Sequence, residues 1–187
     1  MTLLSLDDLV HLFRERGGRQ YDGEPVSQLE HALQTAHLAE QAGADDAMVT
    51  ACLLHDVGHM LTGLDGTPTL QGLDDTHEAL GARALQPLFD PALLDPIRWH
   101  VAAKRYLCFA DPGYHARLSE DSQRSLVLQG GIFDEGQAAR FIAQPGAAAA
   151  VSLRIWDDLA KQVDYPTPTL AHFMRRAARC ARVPGRT

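Results

Sequence analysis

The apolar positions of this chain recur with the spacing of amphipathic helices, and the helical segments are separated by Gly, Pro and Asp. No run shows the two-residue alternation of a β-strand. Ser, Thr or Asp precedes several segments, where such residues cap helix N-termini. The pattern predicts loops over 21–26 and 63–75, and helices over 5–16, 27–42, from 45 through the residues at 55 and 56, 75–89, 91–109, 119–129, 133–143, 147–163 and 169–182. An all-α fold is therefore predicted.

The composition indicates one globular domain. A chain of 187 residues, 45% hydrophobic and 22% charged, is long enough to bury a sizeable core. Its cysteines, Cys52, Cys108 and Cys180, are too widely spaced for a thiolate zinc site and favour a reducing compartment. No secretory leader pattern and no apolar run of roughly 18 residues are present, so we expect a cytoplasmic protein without a membrane span. The net charge of -7, without a basic stripe, argues against nucleic acid as a partner.

The segment from Leu53 to His59 carries the strongest chemical signal. His55 and Asp56 lie inside an apolar helical pattern, and a buried carboxylate is costly unless a cation or hydrogen bonds compensate it. A lone His-Asp dipeptide is more often a surface pair or a helix cap, but the apolar flanks argue against a surface pair. On a helix, neighbouring side chains point about 100° apart. Two adjacent metal ions could therefore share the pair, with Asp56 as the bridge.

Helical faces separate the histidines of the 27–42 segment. Glu30, Gln34, His37 and Gln41 fall on one polar stripe, which predicts that this face is solvated and that His37 lies at the surface. His31 shares its side of the helix with apolar residues and is expected to point inward. Alone, it would be interpreted as a core histidine bonded to a carbonyl.

Two further histidines are ligand candidates. His77 begins a helix after a loop, where its side chain can be aimed inward, although it could equally be an ordinary polar residue of the first turn. His100 shares a helix face with Lys104, four residues on. A metal would repel that cation unless an anion lies between them, which suits a phosphate-like or carboxylate substrate. The alternative for His100 is a partly exposed helix edge.

A third polar group lies in the 147–163 segment. Arg154, Asp157 and Lys161 recur at helical spacing and share one predicted face. This pattern is common in a salt-bridged, solvated stripe, but Asp157 could also supply a carboxylate ligand. The histidines without such company are expected at the surface: His11, His115 and His172.

The inward residues form a coherent ligand set of imidazoles and carboxylates without a thiolate. Its members are His31, His55, Asp56, His77, His100 and Asp157. Ligands of this hardness suit iron, manganese or zinc, and they outnumber the needs of one tetrahedral zinc. They fit two octahedral ions bridged by Asp56, each with positions left for substrate or oxygen.

The order and context of these residues resemble a known family. His31, His55-Asp56 and Asp157 resemble the HD-domain superfamily of helical metal-dependent phosphohydrolases, and the interposed His77 and His100 resemble its two-metal members. The chain from about 21 to 161 is also similar to the PhnZ-type oxygenases, mixed-valence diiron enzymes that cleave the carbon–phosphorus bond of 1-hydroxylated aminoethylphosphonates. The motifs that carry this similarity are YDGE at 21–24, QLEHALQ at 28–34, LHDVGH at 54–59, HVAAKRYL at 100–107, QGG at 129–131 and DEG at 134–136.

The resemblance implies a fold, cofactors and residue roles. It implies one HD-type domain over 1–187, with an N-terminal helix in 1–20, a metal-site core in 21–165 and a C-terminal helix in 166–187. The six ligands would hold two iron ions, Fe(II) and Fe(III), with dioxygen as co-substrate. Tyr21 would occupy an iron position at rest and act as a lid, and Glu24 would meet the substrate ammonium. The phosphonate would be surrounded by His59, Lys104, Ser122 and Arg154, of which His59 and Lys104 would also be catalytic.

Two other functions remain open from the sequence. A metal-dependent HD-domain phosphohydrolase would attack a nucleotide or another phosphoester with metal-activated water, and would need neither Tyr21 nor Glu24. A regulatory module would bind a ligand without turnover, but the intact ligand set with Lys104 and Arg154 argues against it. The expected partner is a small organophosphonate that yields phosphate and glycine, or an N-methylated glycine. The sequence leaves open whether the substrate amine is methylated, and it does not indicate the oligomeric state.

Overall fold

The computed structural model, which describes residues 4–21, 23–64 and 67–182, is all-α, as predicted. Within these residues no β-strand forms, and an isolated antiparallel bridge joins Gln20 to Ser27. A 3₁₀ helix covers Pro68–Gln71. The α-helices are α1 Leu6–Arg16, α2 Gln28–Gln41, α3 Asp46–Leu54, α4 Val57–Leu61, α5 His77–Leu85, α6 Pro91–Ala110, α7 Tyr114–Arg117, α8 Glu120–Leu128, α9 Glu135–Ile142, α10 Ala147–Leu159 and α11 Leu170–Cys180.

Local capping explains why the predicted helix starts are confirmed. Asp45, Ser119 and Thr169 each accept a hydrogen bond from the first turn of their helix. In reciprocal capping boxes the residue three positions on bonds back to the cap, which satisfies two exposed amide groups at once. The pairs are Ser5 with Asp8, Ser27 with Glu30 and Asp134 with Gln137.

Three predicted helices end earlier than expected, and one of them, predicted over 75–89, ends at Leu85. The helix from Asp45 does not run through the His-Asp pair, because Asp56 adopts φ -102° and ψ 12° and separates α3 from α4. The helix from Ala147 ends at Leu159, so Lys161 lies beyond it and does not share its face. The 3₁₀ helix and α7 were not predicted. Asp65 and Gly66 of the predicted 63–75 loop, and the ends of the predicted terminal segments, lie outside the described residues.

The predicted solvated stripe on α2 is only partly correct. Gln34 is buried, because its side-chain amide exchanges two hydrogen bonds with the backbone of Gln162, at 2.9 and 3.1 Å. His37 is half-buried, not fully exposed, and lies outside the ligand clusters described below. His11 is exposed as expected, whereas His115 and His172 are half-buried.

The core holds the helices that carry the ligand candidates. Helices α6 and α10 pack against each other, and α2, α3 and α5 each contact this pair or one another. Fully buried side chains, including Phe13, Leu53, Phe89 and Leu153, fill the space between them. Burying each such side chain contributes roughly 1.5–3 kcal/mol, so the framework around the ligands is firmly held. None of the described helices has the length and apolarity that a membrane crossing requires.

Candidate metal centre

The six predicted ligands form two buried clusters. In the first cluster, His31 of α2, His55 at the end of α3 and Asp157 of α10 place their ligand atoms within 4.8 Å of one another. In the second cluster, Asp56, His77 at the start of α5 and His100 of α6 do the same. All six residues are buried. The structure therefore brings together all six residues of the predicted ligand set.

Asp56 stands between the clusters. Its Oδ2 lies 3.2 Å from His55 Nε2 and 3.5 Å from His31 Nε2, on the side of the first cluster. Its Oδ1 lies 3.4 Å from the Nε2 atoms of both His77 and His100 in the second. Each oxygen thus faces a different cluster, which is the arrangement that a bridging carboxylate requires.

The interruption of the helix between α3 and α4 directs the Asp56 side chain towards the histidines. An aspartate at a helix N-cap normally accepts a bond from the first turn, because this satisfies an otherwise unpaired amide group. Asp56 occupies the N-cap of α4 but makes no such bond. Its carboxylate therefore gives up the usual local stabilisation and faces the clusters.

Backbone carbonyls fix how the imidazoles are turned. The Nδ1 atoms of His31, His55 and His100 donate to the carbonyls of Ala160, Cys52 and Ile97 at 2.9, 2.9 and 2.7 Å, respectively. A carbonyl only accepts, so each Nδ1 carries the hydrogen and each neutral ring directs the lone pair of Nε2 inward. Outward bonds of this kind are typical of metal-binding histidines, because they set the tautomer and the ring orientation.

The inward atoms have the chemistry of cation ligands. Nε2 of His31 faces Nε2 of His55 at 3.3 Å, and Nε2 of His77 faces that of His100 at 3.0 Å. Both oxygens of Asp56 and Oδ1 of Asp157 are buried without a hydrogen bond of ordinary geometry. Opposed lone pairs and unpaired carboxylate oxygens are costly when buried unless a cation compensates them. The residues therefore fit metal ions in both clusters.

Charge coupling within the first cluster changes its titration. Burial lowers the pKa of His31, but its close contacts with the carboxylates of Asp157 and Asp56 outweigh burial and raise the pKa to about 9. Burial raises the pKa of Asp56, but its close contacts with His55 and His100 hold that pKa well below its usual range. The carboxylates thus stay ionised and attract a proton to the place that a metal would take, so that metal and proton compete.

Asp75 supports the second cluster and was not recognised as a site residue from the sequence. Its carboxylate accepts from Nδ1 of His77 at 2.8 Å and lies 2.6 Å from Nδ1 of His59. The His59 ring stacks on that of His77, with centroids 3.8 Å apart and a 20° angle between planes. Asp75 therefore orients both rings. The available signal was an aspartate two residues before a ligand candidate. The pattern had instead predicted that Thr76 or Asp75 caps this helix, whereas the N-cap is Thr76 and its side chain makes no capping bond.

A polar cavity of about 40 Å³ adjoins the second cluster. Tyr21, His59, Lys104, Ser122 and Arg154 line it, together with His77 and His100. All four residues predicted to surround the phosphonate therefore meet in one cavity. Glu24, predicted to lie with them, is not part of its lining among the described residues.

Lys104 is buried at the cavity wall. Its Nζ donates to Ser125 Oγ at 2.6 Å, a contact that the sequence did not indicate. Burial and the nearby charge of Arg154 lower the pKa of Lys104 to about 7. An anion in the cavity would favour the charged form of this side chain.

Arg154 links the cavity to the first cluster. Its Nη1 lies 2.9 Å from Asp157 Oδ2, and its Nη2 donates to Ser122 Oγ at 3.2 Å. Nη2 also bonds to Asp158, a partner that the sequence did not reveal. A ligand carboxylate and a cavity hydroxyl are thus held by one guanidinium group.

The loop that carries Tyr21 and Glu24 covers the first cluster. The Tyr21 ring stacks on the His31 ring, with centroids 3.9 Å apart and planes 11° apart. Asp22 lies outside the described residues, and Gly23 has φ +77°, which favours glycine at this turn. Glu24 accepts a hydrogen bond from Lys161 Nζ at 2.8 Å.

Comparison with known proteins agrees with this geometry. The HD domain family model matches residues 29–128. A [1-hydroxy-2-(trimethylamino)ethyl]phosphonate dioxygenase (glycine-betaine-forming) from Leisingera caerulea is 41% identical over 166 residues, 87% of this chain and 83% of its own. A hydroxymethylphosphonate dioxygenase from Gimesia maris is 43% identical over 173 residues, 92% of this chain and 86% of its own. An uncharacterized protein of Acanthamoeba polyphaga mimivirus is 32% identical over 171 residues, 90% and 78% of the two chains.

Proposed function

Because this chain belongs to the HD domain family and its relatives include two phosphonate dioxygenases, we propose that it is a metal-dependent dioxygenase that cleaves the carbon–phosphorus bond of a 1-hydroxyphosphonate. The class includes 1-hydroxy-2-aminoethylphosphonate and its N-methylated analogues, which would give phosphate and glycine or N-methylated glycine. The observation that carries the proposal is the pair of clusters that share Asp56 beside a cationic cavity.

Two iron ions in a mixed-valence pair are the proposed cofactors. The first cluster would hold one ion through His31, His55 and Asp157, and His77 with His100 would hold the other, with Asp56 shared. When bound, the ions would supply the redox chemistry with dioxygen, which no protein side chain here provides. Imidazole and carboxylate ligands are compatible with this choice of metal.

The cavity residues are proposed to bind the phosphonate. A dianionic head group needs charge-assisted donors, and Lys104 and Arg154 supply two, with Ser122 between Arg154 and the cavity. His59 would donate a further bond, held in place by Asp75. Proton transfer to the departing phosphate is the catalytic role proposed for His59 and Lys104, since both line the cavity and the pKa of Lys104 is lowered to about 7.

Tyr21 is proposed to be a resting-state iron ligand and lid. The stacking of its ring on His31 keeps the Tyr21 side chain beside the first cluster. A guarded iron reacts less with oxygen when substrate is absent, so displacement of Tyr21 by substrate would couple oxidation to binding. Tyr21→Phe should then retain iron and consume oxygen faster without substrate.

The test is metal analysis and electron paramagnetic resonance on protein purified from iron-supplemented cells, followed by assays of phosphate release. We expect a spectrum that changes with a 1-hydroxyphosphonate, and phosphate release that needs dioxygen. A hydrolase would instead release phosphate from nucleotides or other phosphoesters without dioxygen, and that result would replace the proposal.

A further inference from the structure

Lys161 is held by three oxygen acceptors. Its Nζ donates to Glu24 Oε1 at 2.8 Å, to Ser119 Oγ at 3.1 Å and to Ser122 Oγ at 3.5 Å. An ammonium group has three donors, so the side chain is satisfied in this position. The side chains of Lys161 and Glu24 are 13% and 12% exposed, which removes most of the water that would weaken their attraction.

The Lys161 ammonium group occupies the position beside Glu24 that a ligand cation would need. It also lies 5.7 Å from the centroid of the Tyr21 ring, within the range of a cation–π contact. A carboxylate and an aromatic face are the groups that recognise ammonium ligands, and here both contact a cation of the protein itself. A second ammonium group could approach Glu24 only against the charge of Lys161.

The charges around the cavity also disfavour a ligand that carries an ammonium group. Lys161 neutralises Glu24, and Ser122 lies between the ammonium of Lys161 and the guanidinium of Arg154. A doubly charged phosphonate is attracted by these cations. An ammonium substituent placed beside Glu24 would be repelled by Lys161. Two carboxylates that line the cavity already have partners: Asp75 contacts His59 and His77, and Asp121 accepts from Thr69 and Arg124.

The size of the cavity agrees with a small ligand. A volume of about 40 Å³ holds roughly three water molecules. Neither Glu24 nor Lys161 contributes to its lining among the described residues, but Ser122, which Lys161 contacts, does. A ligand cation would therefore reach Glu24 only by displacing Lys161.

We infer that Lys161 is a specificity-determining residue that neutralises Glu24 from within the protein, so that the site favours hydroxyphosphonates without an ammonium group over aminated ones. This inference rests on the proposed function and narrows its substrate class. Aminated substrates would have to displace Lys161 before Glu24 could contact them.

The test compares two ligands that differ only in the terminal group, 2-amino-1-hydroxyethylphosphonate and 1-hydroxypropylphosphonate. Their dissociation constants are measured by calorimetry on iron-loaded protein without oxygen, and kcat/KM is measured with oxygen. Lys161→Met removes the charge and keeps most of the length. Gln162→Met is the matched control, because that side chain is exposed and the hydrogen bonds that residue 162 makes to Gln34 come from its backbone.

We expect the parent and Gln162→Met proteins to bind the amine-free ligand at least tenfold more tightly. Losing the charged partner of Glu24 should shift the preference towards the aminated ligand by about 10- to 100-fold in Lys161→Met. A ratio that changes less than twofold in this variant, or a parent that prefers the aminated ligand tenfold, would overturn the inference. If the binding ratio shifts but no oxygen-dependent phosphate release occurs, the proposed reaction fails and the role of Lys161 stands. If neither ligand binds, both are wrong.

Discussion

Both ligand clusters depend on Asp56, because each of its carboxylate oxygens faces one of them. The side chain is buried, ionised and free of the capping bond that its position would normally supply. Loss of this one carboxylate should therefore affect two metal ions together.

Asp56→Ala should accordingly lose most of the bound metal. Removing a shared ligand weakens both sites, in contrast to a variant in one cluster. The measurement is the metal-to-protein ratio after desalting, with His37→Ala as the control, since His37 lies on α2 outside the clusters. Two ions retained tightly in Asp56→Ala would contradict the bridging role.

Asp75→Asn should weaken the second cluster selectively. The amide can accept a hydrogen bond through its oxygen, but its NH₂ group then faces the Nδ1 hydrogen of one of the two rings that Asp75 now holds. Loss of a residue that hydrogen-bonds to a metal-binding histidine typically lowers metal affinity by 10- to 100-fold. Chelator competition should show one metal ion weakened by that factor and the other unchanged. The control is Asp74→Asn at the exposed neighbour, and equal behaviour of the two variants would refute the orienting role.

Lys104→Ala should weaken phosphonate binding while metal is retained. A hydrogen bond to a charged group is worth about 1.5–3 kcal/mol, which corresponds to one to two decades in the dissociation constant. Arg98→Ala is the matched control, because Arg98 lies on the exposed side of the same helix. An unchanged affinity in Lys104→Ala would place the anion elsewhere.

At the scale of elements, the second cluster depends on a close contact between α4 and α5. A Cβ atom at Gly58 would lie 2.0 Å from the carbonyl oxygen of His77, which is backbone and cannot turn aside. Residue 76, just before His77, has φ +47° although it is a threonine, so the start of α5 is itself strained. The position of His77 is therefore set by a glycine on another helix.

Gly58→Ala should displace α5 and cost about 1–3 kcal/mol, the usual range for overpacking. The second metal should bind more weakly as His77 moves, which chelator competition and thermal melting can both follow. Gly18→Ala is the control, since a Cβ there meets nothing within 4 Å. Equal melting temperatures and metal affinities in the two variants would show that the helices tolerate the extra methyl group.

At this scale, the sequence predicted the features that depend on residues close together along the chain. Capping pairs three residues apart and the apolar face of His31 are local patterns, and the structure confirms the helix starts and the burial of that residue. The break at Asp56 and the end of α10 before Lys161 depend on contacts between elements. The bond between Lys161 and Glu24 joins residues 137 positions apart, so no local pattern encodes it.

At the scale of the whole molecule, the clusters tie together α2, α3, α5, α6 and α10. Metal binding to the folded chain should therefore raise its melting temperature. An ion present at a hundred times its dissociation constant adds about 2.7 kcal/mol. For a chain of this length, that free energy corresponds to roughly 5–11 °C.

This stabilisation should grow as the pH rises from 6 to 9. The pKa of His31 is raised to about 9 without metal, so below that pH an ion must displace a proton, and affinity falls by up to about tenfold per pH unit. The stability that the metal-free chain gains from protonation of His31 changes with pH in the opposite direction. It is fully present below the unfolded pKa of about 6.5 and is lost as the pH rises through 9. A melting shift on metal addition that shrinks between pH 6 and 9 would contradict this coupling.

The burial of Lys104 and the ion pair of Lys161 have a consequence for how the protein can be observed. These are the two lysines in the sequence, and every other basic side chain with a fixed charge is an arginine. Among the side chains, an amine-reactive reagent would therefore modify only Lys104 at the cavity wall and Lys161 beside Glu24. Mass spectrometry of such labelling over time would record how often the cavity opens in the unaltered protein, without an introduced probe.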